Sequence, residues 1–507
     1  MKKDKILVPL LLGLTILIPF IVYSITFPNI LITTKIAATN NTNDFAKELE
    51  EKLPALLQKY QIYGGVAISL ISDFDIIWVK EYGYANEKLG INITNDTYFQ
   101  IASMSKTFCA WAVMNLYEDG LLDLDNPVDD YLTRWHLPET GFDNSEVTIR
   151  RILSHTAGLS LESFMGYETV DEVLSIEEAL EDVKVIVEPG STWMYSGGGY
   201  LVLQLLIEEV SNQSYTDYLT NEILSPLNLT HSRPDWSSDI VNSLATAYNS
   251  FGKELPHYRF TALAAGGHYS TILDLSEFVL ANMDGSAGEL PGRGVLNEST
   301  LEIMQTKVAD VHPFMGGYGL GFQLKILQNG QKMVFHNGQN TGFIGTMNFI
   351  PETGEGIVIL TSCDSAKSLI IELESQWQQM IQGTINNTLL YSKYIILIPA
   401  IITLIEVFIG INVWLLFALL KDRRSFSFRK NITRVIISSI LGILIIISLI
   451  LSYAPLQYRS GFAFVYWFVP EIHWTSLLLV VSLCYYIVVS LTVSKKITKS
   501  NISTVEM

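Results

Sequence analysis

Cysteine is nearly absent: 507 residues carry only Cys109, Cys363 and Cys484. They form no spaced cluster, so neither a disulfide framework nor a zinc site is signalled. Cys484 lies in an apolar run, and Cys109 and Cys363 sit in apolar, regular segments where a buried free thiol is a simpler reading than a bridge between them. Charge is also scarce, at 17% of residues, and its balance is acidic, with a net charge of -18. Phosphate binding draws its affinity from clustered Lys and Arg, and the middle of the chain has no basic stripe, so nucleic acid is not an expected partner. Internal repeats and low-complexity tracts are missing, and no motif asks for a cofactor.

Long hydrophobic runs are abundant, and they are confined to the two ends. Residues 1–27 open with Lys2, Lys3 and Lys5 and continue as an apolar run from Ile6 to Phe27, which reads as a signal sequence or an uncleaved anchor. The length of the run and the lack of a clean A-x-A site favour the anchor; residues 28–44 then read as a linker. Between 386 and 495 three stretches, 394–420, 435–453 and 474–493, are each long enough for a hydrocarbon core of about 30 Å. Lys421, Arg423, Arg424, Arg429, Lys430 and Arg434 separate the first two, whereas only Arg459 precedes the third. The positive-inside rule therefore places that loop, the N-terminus and the tail 496–507 with Lys496 and Lys499 in the cytoplasm, and the region 45–385 outside it. The expected location is a multi-pass cell-membrane protein, with the lipid bilayer as a partner of the C-terminal helices. Glu406 in the first span is costly unless it packs inward in the three-helix bundle, which is the simpler reading.

The middle region alternates like a layered α/β domain. Gly65 to Leu70 and Ile76 to Lys80 read as a hairpin, Lys332 to His336, Gly345 to Pro351 and Gly356 to Ser362 as strands, and Ser365 to Ile381 as a helix. Thr107 to Glu118 and Leu201 to Val210 have helical periodicity. A sheet made from both ends of the region, with a helical lobe inserted between them, is the expected architecture.

Chemistry is signalled first by Ile101-Ala102-Ser103-Met104-Ser105-Lys106-Thr107. If Ser103 opens a helix, Lys106 lies one turn on and its amine reaches the hydroxyl. A serine hydroxyl is a weak nucleophile until a base takes its proton, and a lysine does so only when its pKa is depressed. Alone, S-x-x-K is a weak pattern. A second element, Glu188-Pro189-Gly190-Ser191-Thr192-Trp193-Met194-Tyr195-Ser196-Gly197-Gly198-Gly199-Tyr200, leads into an apolar helix, and a late strand carries His336-Asn337-Gly338.

S-x-x-K, a tyrosine in a P-G-x-x-W-x-Y-S loop and a late H-N-G, in that order, resemble the three signatures of the serine β-lactamases, D,D-peptidases and related esterases. Leu153-Ser154-His155-Thr156-Ala157-Gly158-Leu159 and Ala265-Gly266-Gly267-His268-Tyr269-Ser270-Thr271 extend the resemblance over roughly residues 45–378. It implies a β-lactamase/transpeptidase-like α/β fold, an antiparallel sheet flanked by helices plus an all-helical lobe, and an acyl-enzyme on Ser103. Lys106 and Tyr195 would share the proton transfers, either serving as base, and the backbone N–H groups of Ser103 and Gln339 would form the oxyanion hole. Two departures stand out: Gly197 where members often carry Asn, and His336 where many β-lactamases carry Lys, which argues against efficient cleavage of β-lactams.

The whole layout also resembles one branch, the colibactin-maturation type of prodrug-activating peptidase, which removes an N-acyl-D-asparagine cap after export. Its late motif reads H-G-G-Q-N against His336-Asn337-Gly338-Gln339-Asn340 here, which implies that Asn340 and His268 bind a polar side chain. The expected partner is a small peptide or acylated-peptide substrate. A D,D-carboxypeptidase, β-lactamase or esterase is the alternative on the same chemistry, and a ligand-binding membrane sensor is the alternative of another class. Blander readings keep their place: Ser103 and Lys106 as a surface pair, Tyr195 as a core aromatic, His155 and His268 as structural histidines, and Asp274 as a helix cap. The Gly197 to Gly199 run is read as a tight loop.

Overall fold

The computed structural model describes residues 41–161, 166–168, 172–312, 316–382, 424–426 and 492–494. Backbone contacts divide the chain into Thr33–Asn386 and a second unit made of Met1–Ile32 with Asn387–Met507. In the second unit the described residues are two short strands, Arg424–Phe426 and Thr492–Ser494, paired antiparallel. The N-terminal run 1–27 and the expected spans 394–420, 435–453 and 474–493 lie outside the described residues, apart from Thr492 and Val493, which are strand where a helix end was expected. Among the described residues no helix is long and apolar enough to cross a membrane.

The first unit is built on one antiparallel sheet of eight strands. We label them β1 (Val66–Ser72), β2 (Asp75–Tyr82), β3 (Ala309–His312), β4 (Gly316–Tyr318), β5 (Gln323–Ile326), β6 (Lys332–Asn340), β7 (Phe343–Ile350) and β8 (Glu355–Thr361). Their order across the sheet is β2-β1-β8-β7-β6-β5-β4-β3, so the first and last strands of the unit pair with each other, β1 against β8, one strand in from an edge, with Val66 opposite Thr361. The helices that frame the core and the site are α1 (Thr42–Lys59), α2 (Ser105–Glu118), α3 (Ile149–Leu153), α4 (Gly197–Ser211), α5 (Ile272–Ala281) and α6 (Lys367–Gln382).

Strand alternation sorts the core into two layers, because successive side chains leave a strand on opposite faces. On β8, Ile357 and Ile359 join Leu49, Leu53 and Leu56 of α1 and Leu369, Leu373 and Trp377 of α6. Val358 and Leu360, between them, face the layer of α2, α4 and α5, with Phe108, Trp111, Leu203 and Phe278. β1 alternates without a break, whereas a bulge in β2 opposite Leu70 and Ile71 puts the consecutive residues Ile77 and Trp78 both against the first layer. Cys109 and Cys363 are both free and buried, so they form no bridge to each other.

Two local expectations are corrected. Gly197–Gly199 are not a loop but the buried first turn of α4, capped by the Ser196 hydroxyl, which accepts the Gly199 N–H at 2.8 Å. That cap is worth about 1 kcal/mol. Close approach favours glycine there, since a Cβ on Gly198 would stand 3.0 Å from the Ser160 carbonyl. Likewise the cap of α5 is Thr271, whose hydroxyl accepts the Asp274 N–H, while the Asp274 carboxylate accepts the His231 N–H.

Candidate active site

Ser103 sits in a 3-10 turn, Ala102–Met104, that runs directly into α2. Ala102 has a φ of +50°, a left-handed conformation that a residue with a Cβ adopts only at a cost, and it turns Ser103 out to a half-exposed position at the mouth of the helix. Lys106, one turn later, is fully buried. Its amine donates to the Ala265 carbonyl at 2.5 Å and lies 3.3 Å from the Ser103 hydroxyl. Tyr195 hydrogen-bonds to the Ser103 side chain from the other direction, and the Lys106 Nζ stands 4.9 Å above its ring and 5.4 Å above that of Tyr200. Folding thus brings the phenol, from a segment about 90 residues downstream, to the hydroxyl and amine that share one helical turn.

Their electrostatics diverge in a useful way. Burial disfavours charge, so it pushes Lys106 down from 10.5 to about 7 and pushes the Tyr195 phenol up. Near neutral pH the amine is therefore unprotonated in a large fraction of molecules, while the phenol keeps its proton. That combination can take a proton from Ser103 and deliver one to a leaving group.

Strand β6 forms the opposite wall. It pairs with β5 only through Lys332–Phe335, whereas its pairing with β7 continues to Asn340, so residues 336–340 have an edge that β5 does not cover. His336, Gly338 and Asn340 are buried on one face, and Gln339 is half-buried between the last two. Gly338 is pressed against the turn before the nucleophile: a Cβ on it would lie 2.1 Å from the Ile101 carbonyl oxygen and 3.3 Å from the Ala102 Cβ. Gly338→Ala is accordingly expected to fold but to push β6 off the Ser103 turn, lowering turnover about 100-fold with a loss of roughly 1–3 kcal/mol in stability. Turnover and thermal melting of the variant check this.

His336 does not supply a cation. Its Nδ1–H donates to the Asn337 carbonyl at 2.8 Å, and the Tyr318 hydroxyl donates to its Nε2 at 3.1 Å. Burial, aided by the nearby charge of Lys106, pushes it down to about 3, so it stays neutral. Asn340 is fixed by its Nδ2, which donates to Gln100 Oε1 at 3.1 Å and to the Gly266 carbonyl at 3.0 Å.

Two expected site residues stand apart from this group. His268 closes the π-turn Leu263–Gly267, but it is the carbonyls of Ala265 and Gly266 that face Lys106 and Asn340. The His268 ring is buried against Phe108, 4.4 Å between centroids, and neither ring nitrogen has a hydrogen-bond partner among the described residues. Gly197 is buried in α4, with its N–H donating to the Leu161 carbonyl. Conversely, sequence reading missed Tyr200 and Tyr318. Both are fully buried, around Lys106 and His336 respectively, and they lie in glycine-flanked stretches with no spacing that marks them.

Comparison with known proteins identifies the family and the fold. The β-lactamase family model matches residues 49–376. Protein flp of Staphylococcus aureus (strain N315) is 24% identical over 338 residues, covering 64% of this chain and 65% of its own. Penicillin-binding protein 4* of Bacillus subtilis (strain 168) is 31% identical over 196 residues, 37% of this chain and 41% of its own. This chain thus spans less than two thirds of either relative's length. The octameric penicillin-binding protein homologue from Pyrococcus abyssi superposes with a TM-score of 0.56 at 27% identity, covering 67% of this chain and 77% of that one. With the family matched over well more than half its length, the chain belongs to the β-lactamase family of serine hydrolases.

Proposed function

We propose that this chain is a membrane-tethered, extracytoplasmic amidohydrolase that cleaves a small acylated or D-amino-acid-containing peptide through an acyl-enzyme on Ser103. The observation that carries the proposal is a wholly buried amine, held near pKa 7, beside a half-exposed hydroxyl that a protonated phenol also touches. In this reading Ser103 Oγ attacks the substrate carbonyl carbon as its proton passes to the Lys106 amine. The oxyanion is met by the backbone N–H groups of Ser103 and Gln339. Collapse breaks the C–N bond while Tyr195 protonates the departing nitrogen and regains a proton from the Lys106 ammonium. Water then attacks the ester, giving a proton to Lys106, which returns it to Ser103 as the acid leaves.

Substrate choice follows from two features of the wall. His336 is neutral, so the pocket offers no permanent cation to a β-lactam carboxylate. Asn340 spends its Nδ2 hydrogens on Gln100 and Gly266 and keeps Oδ1 as an acceptor beside Gly266, which suits a substrate N–H such as a side-chain amide. Topology in this reading rests on the sequence alone, through the basic loop between the first two expected spans.

Membranes carrying the full chain are expected to release the acyl-D-asparagine group from an N-acyl-D-asparaginyl peptide and to leave a chromogenic cephalosporin largely intact. Turnover of the cephalosporin alone would rule this substrate reading out in favour of a β-lactamase.

A further inference from the structure

We infer that His155 is the positioning residue that holds Tyr195 at the nucleophile, an inference that rests on reading Tyr195 as a proton donor. Helix α3 ends at Ser154, and His155 follows it with a φ of +59°, a position where glycine or asparagine is the usual occupant. A branched ring kept in that conformation needs a reason, and its contacts supply one. The His155 carbonyl accepts the Met194 N–H at 2.7 Å, and its Nδ1 accepts the Ser196 N–H at 3.1 Å. The two peptide N–H groups on either side of Tyr195 therefore end on one residue. The His155 ring also lies 4.4 Å from the Tyr195 ring and contacts Trp193, Tyr200 and Tyr318, so it fixes the phenol from its flank as well as from its backbone.

Because Nδ1 accepts, the ring proton sits on Nε2, which is buried and has no hydrogen-bond partner among the described residues. The energetic stake of this ring is thus the acceptor at the δ position. Asparagine places Oδ1 the same number of bonds from the backbone and tolerates a left-handed φ, while leucine has nearly the shape of asparagine and no acceptor.

His155→Asn and His155→Leu, made in the full chain in membranes, separate positioning from packing. The leucine variant is expected to lose about 100-fold in kcat with KM changed by less than about threefold, and the asparagine variant to stay within about tenfold of the parent. His155→Leu added to Tyr195→Phe is expected to cost little more than Tyr195→Phe alone, since the histidine acts through the tyrosine. The rate at which a serine-reactive phosphonate labels the protein, read in parallel, should rank the variants in the same order. Equal activities of the asparagine and leucine variants, at whatever level, would overturn the inference and leave the hydrolase reading intact. Unchanged turnover in Ser103→Ala would instead overturn the hydrolase reading.

Discussion

Ser103→Ala is expected to abolish hydrolysis, lowering kcat by roughly 10⁵–10⁶-fold while leaving the fold unchanged. The fold is insensitive because the side chain is half-exposed in a short 3-10 turn and its backbone is set by neighbours, namely the left-handed Ala102 and the approach of Gly338. Activity is sensitive because the hydroxyl meets both the Lys106 amine and the Tyr195 phenol. Without it those two groups retain their contacts and have no nucleophile to serve. A melting temperature within a few degrees of the parent, together with loss of turnover, is the expected pair of results. A variant that keeps more than about 1% of parental turnover would point to a different nucleophile.

Lys106→Met is expected to lower kcat about 10³-fold and, unusually for a core substitution, to raise stability. The sign follows from burial. Lys106 is held at about 7 in the folded protein against 10.5 unfolded, so below pH 7 the folded state must carry a buried ammonium that water would solvate better. That penalty amounts to as much as roughly 5 kcal/mol below pH 7 and fades as pH rises from 7 to 10.5. Methionine fills similar volume without the charge, so the variant should melt above the parent at pH 6, and the gap should close towards pH 10. The rate has the opposite partner in the same number: parental kcat/KM rises with pH through about 7 as the amine loses its proton, then levels, and the inflection disappears in the variant. A pH–rate profile and melting curves at pH 6, 8 and 10 check both halves. An unchanged inflection in Lys106→Met would show that another group titrates.

Much of this was legible in the sequence because the signals are local. The hairpin β1–β2 and the late strands β7 and β8 announce themselves by apolar runs bounded by turn residues, and S-x-x-K fixes a serine and a lysine on one helical turn. The far edge of the sheet did not. Strands β3, β4 and β5 are three or four residues long, and Gly316 and Gly317 interrupt any alternation, so they carry no periodicity to read. Residues whose importance comes from long-range contact were equally silent. Tyr318 matters through His336, and His155 through the peptides around Tyr195, neither of which is close in sequence. His268 was drawn into the site by its neighbouring glycines, yet in the π-turn it is the backbone that serves the pocket and the ring that packs against Phe108. The direction of the Lys106 and Tyr195 shifts also needed the fold, since only burial decides which of two candidate bases loses its proton first.

The most direct test is to treat the folded full chain with a serine-reactive phosphonate and map the adduct by peptide mass spectrometry. A hydroxyl activated by its surroundings should give a single adduct on Ser103, formed in the native protein and not after denaturation. Modification elsewhere, on Ser105 or Ser270 for instance, or labelling that survives unfolding, would contradict the claim that these three side chains make one working site.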